Sequence, residues 1–485
     1  MKKEELENLL HFLTALPKEN EWCEFKVNNG DPQEIGERIS AIANSANLHS
    51  RPCGYIVWGV ENKTHEVVGT KFSFKQAKKG AEELENWVTR ALEPHLDLRI
   101  YEFLFGDKNI VLLEIPAAIN RPVKFQDEAF IRIGSLTKKL KDYPDKEEKI
   151  WKNPDRRSFE KGVALSGATM EQVLELINYP SYFELTKQPL PTDRNTILEI
   201  LEHERIISRC PTGHYNITNL GAILFAKDIT KFEGLNRKSI RVIIYDGKNR
   251  IKTIKELGGV KGYATGFKGL IEYINSQLPS NEEIEKAFRV EKKMYPEIAI
   301  RELIANALIH QDFIEKGASP MIEIFSDRIE ISNPGRPLIN PDRFIDHPPQ
   351  SRNEDLASFM RRINVCEERG SGIDKVIAAT EMFQLPAPKF EAQDKFTRVT
   401  LYSYRPLKKM NRDDKIRACY QHCCLKYVSN EQMTNTSLRK RFNIPDNNYP
   451  MASRIINDTI TVNFIKPFDP ENKSKKNTKY VPIWA

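Results

Sequence analysis

The segment from residue 296 to residue 405 constrains the fold of this chain most, because helix and strand patterns follow one another there at short spacing. "PEIAIRELIANALIHQDF" has apolar residues at helical period, and Pro296 can start the helix. "PMIEIFSDRIEISNPGRP" alternates like a β-hairpin that ends in an Asn-Pro-Gly turn at 333–335. Gly370 and Gly372 then lead into a second helix, and "FTRVTLYSY" predicts a closing strand. These elements predict an α/β unit.

Two polar residues on the first of these helices are candidates for chemistry. Glu302 and Asn306 are four positions apart, so they project from the same helix face. A carboxylate can orient water, and an amide oxygen can bind Mg²⁺ beside a triphosphate. Backbone N–H groups near Gly370 and Gly372 can hold phosphate at the start of the next helix. Glu and Asn are also ordinary on an exposed helix face, so the pair alone leaves both interpretations open.

In this order, the Glu-x-x-x-Asn helix, the hairpin, the two glycine turns and the closing strand resemble the GHKL ATPase fold. The resemblance is to the divergent form that accompanies Schlafen-type AlbA domains in bacterial proteins described as transcriptional regulators. It implies ATP and Mg²⁺ as cofactors, with Glu302 as the base that activates water and Asn306 as the Mg²⁺ ligand. It also implies an adenine-side turn at Asn333 and Gly335, and a phosphate lid at Gly370 and Gly372.

The sequence departs from the superfamily pattern at the adenine-side turn. Asn333 stands where Asp is common, and Arg336 stands where a second glycine is usual. Asn333 can still form hydrogen bonds but carries no charge, so a contact with adenine there would be an uncharged hydrogen bond. Arg352 and Asn353 in "SRNEDL" precede the lid and are predicted to reach phosphate. A helix-capping role for Ser351 and Asn353 is the alternative, and both interpretations stay open.

Residues 1–150 predict a small mixed α/β domain. "DPQEIGERISAIANSAN" has the apolar spacing of a helix that begins near Asp31, and "GYIVWGVENKTHEVVGT", "NIVLLEIPA" and "EAFIRIGSLTKKL" predict strands. This ordered series, opened by "EFK" at 24–26, resembles the Schlafen-type AlbA domain over about 120 residues. "NSANLHSRPCG" is longer than the glycine-rich turn that is usual between helix and strand in that family.

Glu19 and Glu24 are five positions apart, as are two carboxylates of the ribonuclease site in some Schlafen proteins. The resemblance places the third carboxylate at Glu61 or at the neutral Asn62. It implies Glu19 and Glu24 as metal ligands and all three glutamates as catalytic, because clustered carboxylates can hold a divalent metal that activates water. The alternative is that Glu24 and Lys26 form a solvated pair on a short strand, worth at most about 1 kcal/mol.

Basic residues predict nucleic-acid contacts at both ends of the chain. Lys26, Arg132, Lys138 and Lys139 suit phosphate contacts in the N-terminal domain, although lysines at a strand end can also simply be solvated. Residues 409–485 predict three short helices and a strand, which is the outline of a winged helix. Arg439 and Arg441 are the candidate contacts in this domain, with Lys440, Arg454 and the lysines at 473, 475 and 476 beside them.

The chain of 485 residues exceeds one core, and we predict four segments: 1–150, a connecting α/β region at 151–290, the ATPase-like domain at 291–408 and 409–485. The predicted fold class is α/β and α+β multidomain. A net charge of +7 allows nucleic acid as a partner without requiring it. Seven scattered cysteines are typical of a reducing compartment; Cys419, His422 and Cys423 could contact a metal, but helix packing explains them more simply.

No stretch approaches the length of a membrane span, so we expect a cytoplasmic protein. The sequence favours an ATP-binding, nucleotide-responsive protein that binds DNA or RNA as a regulator, and we expect a homo-oligomer. A metal-dependent ribonuclease effector, perhaps against phage and gated by the GHKL module, is the alternative from a different class. A degenerate ATPase fold kept as an interaction scaffold is a third hypothesis.

Overall fold

The computed structural model describes residues 3–16, 20–49, 51–119, 121–152, 159–210, 213–278, 280–285, 288–348, 350–366, 370–469, 471 and 478–485. The chain divides into two compact units, Met1–Lys161 with Arg209–Tyr215 and Gly162–Ser208 with Asn216–Ala485. Over these ranges it is a mixed α/β chain with several small sheets and 15 α-helices, which agrees with the predicted fold class in its coarse form. No helix in the described ranges has both the length and the apolar composition to cross a membrane.

The described residues up to Lys161 in the first unit form four α-helices and ten β-strands. The helices are α1 (Lys3–Thr14), α2 (Pro32–Leu48), α3 (Leu84–Ala91) and α4 (Pro144–Lys152). The strands are β1 (Cys23–Lys26), β2 (Cys53–Trp58), β3 (Lys78–Lys79), β4 (Glu82–Glu83), β5 (Leu92–Glu93), β6 (Arg99–Phe105), β7 (Lys108–Pro116), β8 (Lys124–Phe125), β9 (Glu128–Ile133) and β10 (Leu136–Lys139). They form the sheets β1-β2-β7-β6 and β10-β9-β8-β5 and the small pair β3-β4.

The two faces of the sheet β1-β2-β7-β6 bury different cores. Successive side chains of a strand point to opposite faces, so Cys23 and Phe25 of β1 pack with the leucines of α1. Residue 24 therefore points to the other face, where the apolar side of α2 packs. Helix α2 begins after Asp31, which accepts the Glu34 N–H as its N-cap, as the sequence predicts. Asn44 on α2 donates to the backbone oxygens of Val123 and Phe130 and so ties the helix to the second sheet.

From residue 162 onward the chain forms the remaining helices and strands. The helices are α5 (Met170–Leu176), α6 (Tyr179–Thr186), α7 (Arg194–His203), α8 (Asn219–Phe225), α9 (Tyr263–Gln277), α10 (Glu297–Ile309), α11 (Glu354–Arg362), α12 (Gly372–Met382), α13 (Arg412–Val428), α14 (Asn435–Phe442) and α15 (Tyr449–Thr461). The strands are β11 (Val163–Ala168), β12 (Ile207–Arg209), β13 (Tyr215–Thr218), β14 (Arg241–Tyr245), β15 (Thr253–Gly258), β16 (Ser280–Glu285), β17 (Phe288–Lys293), β18 (Met321–Ile324), β19 (Arg328–Pro334), β20 (Lys389–Ala392), β21 (Phe396–Tyr402), β22 (Met433–Thr434), β23 (Ile465–Pro467) and β24 (Lys479–Pro482).

A six-stranded sheet in the order β15-β14-β18-β19-β21-β20 is the centre of the second unit. The predicted hairpin is present as β18 and β19, and β21 is the predicted closing strand. Strand β14 pairs parallel with β18, so β14 and β15 belong to the same sheet as the hairpin. The sheet therefore runs across the boundary that the sequence predicts near residue 290. The smaller sheets are β11-β13-β12, β16-β17 and β22-β24-β23.

The two faces of this sheet differ in polarity. Ile331 and Asn333 of β19 face α10, so the alternating residue Glu330 lies on the opposite face. There Glu330 stands directly opposite Glu323 of β18, and both carboxylates are buried. Arg250 bridges them, with Nε 2.6 Å from Glu323 Oε1 and Nη2 3.0 Å from Glu330 Oε2. The half-exposed Arg250 therefore bridges two like charges on neighbouring strands, and Arg328 adds a second cation to Glu330, with its Nε 2.7 Å from Oε1.

The C-terminal part of the second unit packs α13, α14 and α15 with the sheet β22-β24-β23 around one apolar core. Cys419 and Cys423 of α13 are buried in this core, and His422 lies beside Glu381 of α12 and Ser437 of α14. The described residues contain no group of three metal-binding side chains, here or elsewhere. This part is called the C-terminal module below.

We predict that Arg250→Ala lowers the free energy of unfolding of the second unit by about 1–3 kcal/mol, because two buried carboxylates lose charged donors. Arg241→Ala is the matched control, since Arg241 pairs with the exposed Glu256 on the same sheet. Its loss should stay within about 1 kcal/mol. Urea denaturation followed by circular dichroism measures both variants, and equal losses would contradict the bridging role of Arg250.

Candidate functional site

A pocket of about 190 Å³ lies between α10, α12 and the sheet strands β19 and β21. Glu302 and Asn306 from α10, Asn333 from β19, and Gly370 and Gly372 at the start of α12 all line it. These five residues were named from the sequence as nucleotide-site candidates, and the structure brings them to one cavity. Their individual roles stay predictions.

The closest approach in the pocket is between the start of α12 and the polar face of α10. Glu302 is only 2% exposed. A Cβ atom added at Gly372 would lie 3.0 Å from Glu302 Oε2 and 4.0 Å from Asn306 Nδ2. Any side chain at position 372 would therefore crowd the carboxylate. The glycine allows the first backbone turn of α12 to lie directly against both predicted functional side chains.

Asn333 and an apolar slot form the opposite wall of the pocket. Asn333 is buried, and its Nδ2 donates to the Pro334 oxygen at 3.2 Å. Thr397 stands opposite Asn333 in the β19–β21 register, and Phe344 and Phe390 add aromatic lining. The sequence interpretation missed these three residues, because they come from separate segments with no shared motif. A buried amide beside apolar surface can receive a flat ring that carries hydrogen-bonding groups.

The remaining predicted nucleotide residues support the site and do not line it. Gly335 has φ +97°, and a Cβ there would lie 2.6 Å from Asp312 Cβ, so the turn requires glycine for close packing. Arg352 donates to the His310 oxygen at 3.4 Å and to the Arg336 oxygen at 3.1 Å. The guanidinium therefore ties the turn to the end of α10, and the phosphate contact of Arg352 stays a prediction.

The phosphate contact predicted for Asn353 is corrected, because the N–H groups of its side-chain amide have partners inside the protein. Asn353 is buried, and its Nδ2 donates to the backbone oxygens of Ile309 and Gln311, each at 2.8 Å. The side chain thus satisfies carbonyls at the C-terminal end of α10. It occupies the N-cap position of α11 but makes no side-chain capping bond there.

Besides Glu302, the titratable side chains that line the pocket are His310, His347 and Cys366, and the first and last of these are neutral near pH 7. Desolvation by the pocket walls, together with the positive charge of Arg352, lowers the pKa of His310 from its ordinary 6.5 to about 4. Desolvation raises the pKa of the Cys366 thiol to about 11, and the charge of Glu302 adds to this effect. Among the described lining residues, Glu302 is the one carboxylate.

The carboxylate cluster predicted in the first unit has a different character. Glu24 is 3% exposed and accepts from Arg132, from Arg38 Nε at 2.9 Å and from Lys26 Nζ at 2.6 Å. Three cations already surround this one carboxylate and would repel a divalent metal ion. The predicted metal-binding and catalytic role of Glu24 is therefore corrected to that of a buried ion-pair centre. The alternative of a solvated pair is also wrong, because the pair is buried.

Of the other two carboxylates of that prediction, the structure describes only Glu61. Glu19 lies outside the described residues. Glu61 is part of a turn in which its N–H donates to the Glu66 oxygen and its oxygen accepts the His65 N–H. The part of the chain that the structure describes holds no set of three side chains able to bind a metal ion.

Two of the predicted nucleic-acid contacts are buried and are corrected. Arg132 is 0% exposed and pairs with Glu24. Arg441 is 4% exposed, donates to the Leu385 oxygen at 2.7 Å and has Nε 3.3 Å from Glu381 Oε1. Neither guanidinium can reach a phosphate without leaving the core.

The other predicted contacts are at or near the surface. Lys26 is partly buried by its pair with Glu24. Lys139 is exposed, and its hydrogen bond to Glu128 at 2.9 Å raises its pKa. Lys138 is exposed, and the described residues give it no ion pair. Arg439 pairs with Asp446 in the loop before α15. The lysines at 473, 475 and 476 lie outside the described ranges.

Two family models match parts of the chain. The family described as "Schlafen, AlbA_2" matches residues 19–141, and the family described as "Putative ATP-dependent DNA helicase recG C-terminal" matches residues 317–401. The chain is an AlbA domain protein with an ATPase module. The matched domains suggest nucleotide binding and a nucleic-acid-related function. The second match includes Asn333, Gly370 and Gly372, whereas Glu302 and Asn306 precede it.

No curated protein matches the chain at a significant level. Among solved structures, the DIP2311 protein from Corynebacterium diphtheriae is similar over 99% of this chain and 96% of that chain. The two are 16% identical, with a TM-score of 0.42.

We predict that Glu24→Gln lowers the free energy of unfolding of the first unit by about 3–5 kcal/mol, because three cations lose their buried counter-charge. Glu34→Gln is the control, since Glu34 pairs with the same Arg38 at 2.6 Å but is half exposed, and its loss should stay below about 1 kcal/mol. Four of the five tryptophans, at 22, 58, 87 and 151, lie in this unit, so tryptophan fluorescence in urea mainly reports its unfolding. A loss as small as that of the control would contradict the ion-pair centre.

Proposed function

We propose that this protein binds Mg²⁺-ATP in the pocket of its second unit, hydrolyses it, and uses the nucleotide state to control nucleic-acid binding. The observation that carries the proposal is the approach of Gly372 to Glu302 and Asn306. A glycine turn that opens a helix is a phosphate-binding element, and here it lies against a carboxylate and an amide. Gly372 is 66 and 70 positions after Asn306 and Glu302 in the sequence, and the three residues meet at one cavity, which favours a nucleotide site over a scaffold.

The residues present fit ATP and a magnesium ion. The cradle at Gly372 is space that a Cβ would fill, and Gly370 with φ +70° lies just before it. Asn306 offers an amide oxygen, which is the ligand type that Mg²⁺ accepts alongside phosphate oxygens. The apolar slot with Phe344 and Phe390 fits a nucleobase, with Asn333 at its polar end. When bound, the ion would neutralise charge on the phosphates.

In the proposed hydrolysis, the Glu302 carboxylate accepts a proton from a water molecule. The water oxygen forms a bond to the γ-phosphorus, and the bond from phosphorus to the oxygen of ADP breaks, which yields ADP and inorganic phosphate. Because Glu302 is buried, bulk water screens its carboxylate charge only weakly. The carboxylate therefore interacts strongly with a water molecule bound beside it.

Helix α12 supports the nucleotide-responsive part of the proposal. It begins at the pocket with Gly372 and carries Glu381 in its last turn. Glu381 Oε2 lies 2.9 Å from His422 Nδ1 of α13, and Glu381 Oε1 lies 3.3 Å from Arg441 Nε of α14. A shift of α12 on nucleotide binding would therefore act directly on the C-terminal module.

The element order α13-β22-α14-α15-β23-β24 supports the winged-helix assignment that we propose for the C-terminal module. In such a fold α15, which follows α14 across a short turn, would be the helix that enters the major groove. Tyr449, Arg454 and Asn457 are exposed on it. Together with Lys138 in the AlbA domain, these residues replace the buried Arg132 and Arg441 as the proposed contacts with DNA or RNA.

The ribonuclease alternative gains no support from the described carboxylates, because Glu24 is held by three cations. Cleavage of RNA or DNA by the wild type in the presence of Mg²⁺ would restore it. The homo-oligomer and the cytoplasmic location stay predictions; sedimentation velocity tests the first.

We predict that Asn306→Ala weakens Mg²⁺-ATP binding by at least about tenfold, because an ion ligand is lost in the bound state. Glu302→Gln should keep the dissociation constant within about threefold and abolish hydrolysis, because the base acts only in the reaction. Isothermal titration calorimetry and phosphate release measure the two effects. Absence of ATP binding by the wild type would contradict the proposed function.

We predict that nucleic-acid binding weakens steeply with salt and that each phosphate contact contributes about 0.9 to the log-log slope. Lys138→Ala and Arg454→Ala should each reduce the slope by about one if the side chain contacts phosphate, and Arg241→Ala serves as the control. Fluorescence anisotropy with labelled duplex DNA and tRNA, with and without Mg²⁺-ATP, gives the slopes. If ATP changes none of the affinities, nucleotide control is contradicted.

A further inference from the structure

Arg301 and Glu302 form an ion pair although they are neighbours on α10. Adjacent residues on a helix point about 100° apart and do not face each other. Arg301 Nη1 nevertheless lies 3.1 Å from Glu302 Oε1. The arginine side chain must therefore curve around the helix to reach its neighbour, and something outside α10 has to hold it there.

The loop after α11 holds the guanidinium in that position. Arg301 Nη2 donates to the Asn364 oxygen at 2.6 Å and to the Val365 oxygen at 3.2 Å. Asn364 has φ +58°, a left-handed conformation that asparagine tolerates and that lies at the exit of α11. The next residue, Cys366, already lines the pocket. The Arg301 side chain thus connects Glu302 to the beginning of the segment that leads to the glycine turn.

The two oxygens of Glu302 have different surroundings. Oε1 is the oxygen that accepts from Arg301, whereas Oε2 is the oxygen nearest to the position that a Cβ on Gly372 would occupy, at 3.0 Å. Holding Oε1 leaves Oε2 directed at the start of α12. In the proposed hydrolysis this is the side on which phosphate would lie.

We propose that Arg301 is a positioning residue of the ATPase site: it orients Glu302 so that Oε2 receives the proton, and it fixes the loop that leads to the lid. This inference rests on the proposed function. The positive charge of Arg301 also favours the ionised carboxylate, which is the form that can act as a base. Arg301 is not a lining residue of the pocket, so its effect on the nucleotide is indirect.

The other titratable groups at the pocket allow a test by pH. His310 loses its charge above about pH 4, and Cys366 keeps its proton up to about pH 11. Neither changes charge between pH 5 and pH 9. His347 is a third titratable lining residue besides Glu302, so all pH profiles are compared in a His347→Gln background, where a fall of the hydrolysis rate on the acid side reports the carboxylate. Removing the neighbouring cation favours protonation, so the acid limb of the profile should move to higher pH.

The experiment compares wild type with Arg301→Ala, Arg301→Lys, Glu302→Gln and the control Arg241→Ala. For Arg301→Ala we expect kcat to fall about 10- to 100-fold with KM for ATP within about threefold, and the acid limb of kcat to rise by about one pH unit. Arg301→Lys retains the positive charge but loses the planar set of N–H donors of the guanidinium. The acid limb of its kcat profile should therefore stay near that of wild type, while kcat itself falls.

A second measurement does not depend on activity. Hydrogen–deuterium exchange of the nucleotide-free protein should show faster exchange at residues 363–366 in Arg301→Ala and in Arg301→Lys, because both lose the bidentate anchor to the Asn364 and Val365 oxygens. Arg241→Ala should match wild type in exchange, in kcat and in the pH profile.

The outcomes separate the inference from the proposed function. If wild type hydrolyses ATP, Glu302→Gln is inactive, and Arg301→Ala keeps the wild-type kcat and pH profile, the positioning role is overturned. If exchange at 363–366 rises but the acid limb stays in place, Arg301 anchors only the loop, and the role towards Glu302 is overturned. If wild type neither binds nor hydrolyses ATP, the proposed function fails, and unchanged exchange in the variants would then also refute the anchor.

Discussion

The second unit depends on the contact between the first residue of α12 and the polar face of α10. Because Gly372 has no side chain, α12 can begin within van der Waals distance of Glu302, and the pocket closes around that approach. The same helix carries Glu381 at its other end, where the C-terminal module is attached. Packing at one end of a rigid helix therefore sets the position of groups about three turns away.

The sequence predicts those parts of the arrangement that follow a local periodicity of helices or strands. The Glu302 and Asn306 spacing follows the helical repeat, and the hairpin follows strand alternation, so both were predicted correctly as elements; the family models confirm the AlbA domain and the ATPase module. Phe344 and Phe390 could not be predicted as pocket walls, because only tertiary packing brings their segments together. The ion pair between Arg301 and Glu302 could not be predicted, because side chains at adjacent helix positions ordinarily point apart.

Charged residues were the main source of error, and the errors share one physical cause. Arg132 and Arg441 were predicted to be surface cations, because charged side chains are usually exposed. Both are buried, with partners that are distant in sequence. Glu24 was interpreted as a metal ligand or as a solvated acid because the same expectation of exposure was applied to it. A buried charge is tolerated only with a counter-charge, and composition does not show which distant residue supplies it.

The parallel pairing of β14 with β18 has a consequence for how the ATPase module can be separated from the chain. A fragment that begins at residue 291 would lack β14 and β15 and would expose the whole edge of β18, with its isoleucines and unpaired backbone groups. Exposed strand edges of this kind recruit strands from other molecules. Strands β14 and β15 are thus part of the central sheet of the module, and a fragment that lacks them would be prone to aggregate.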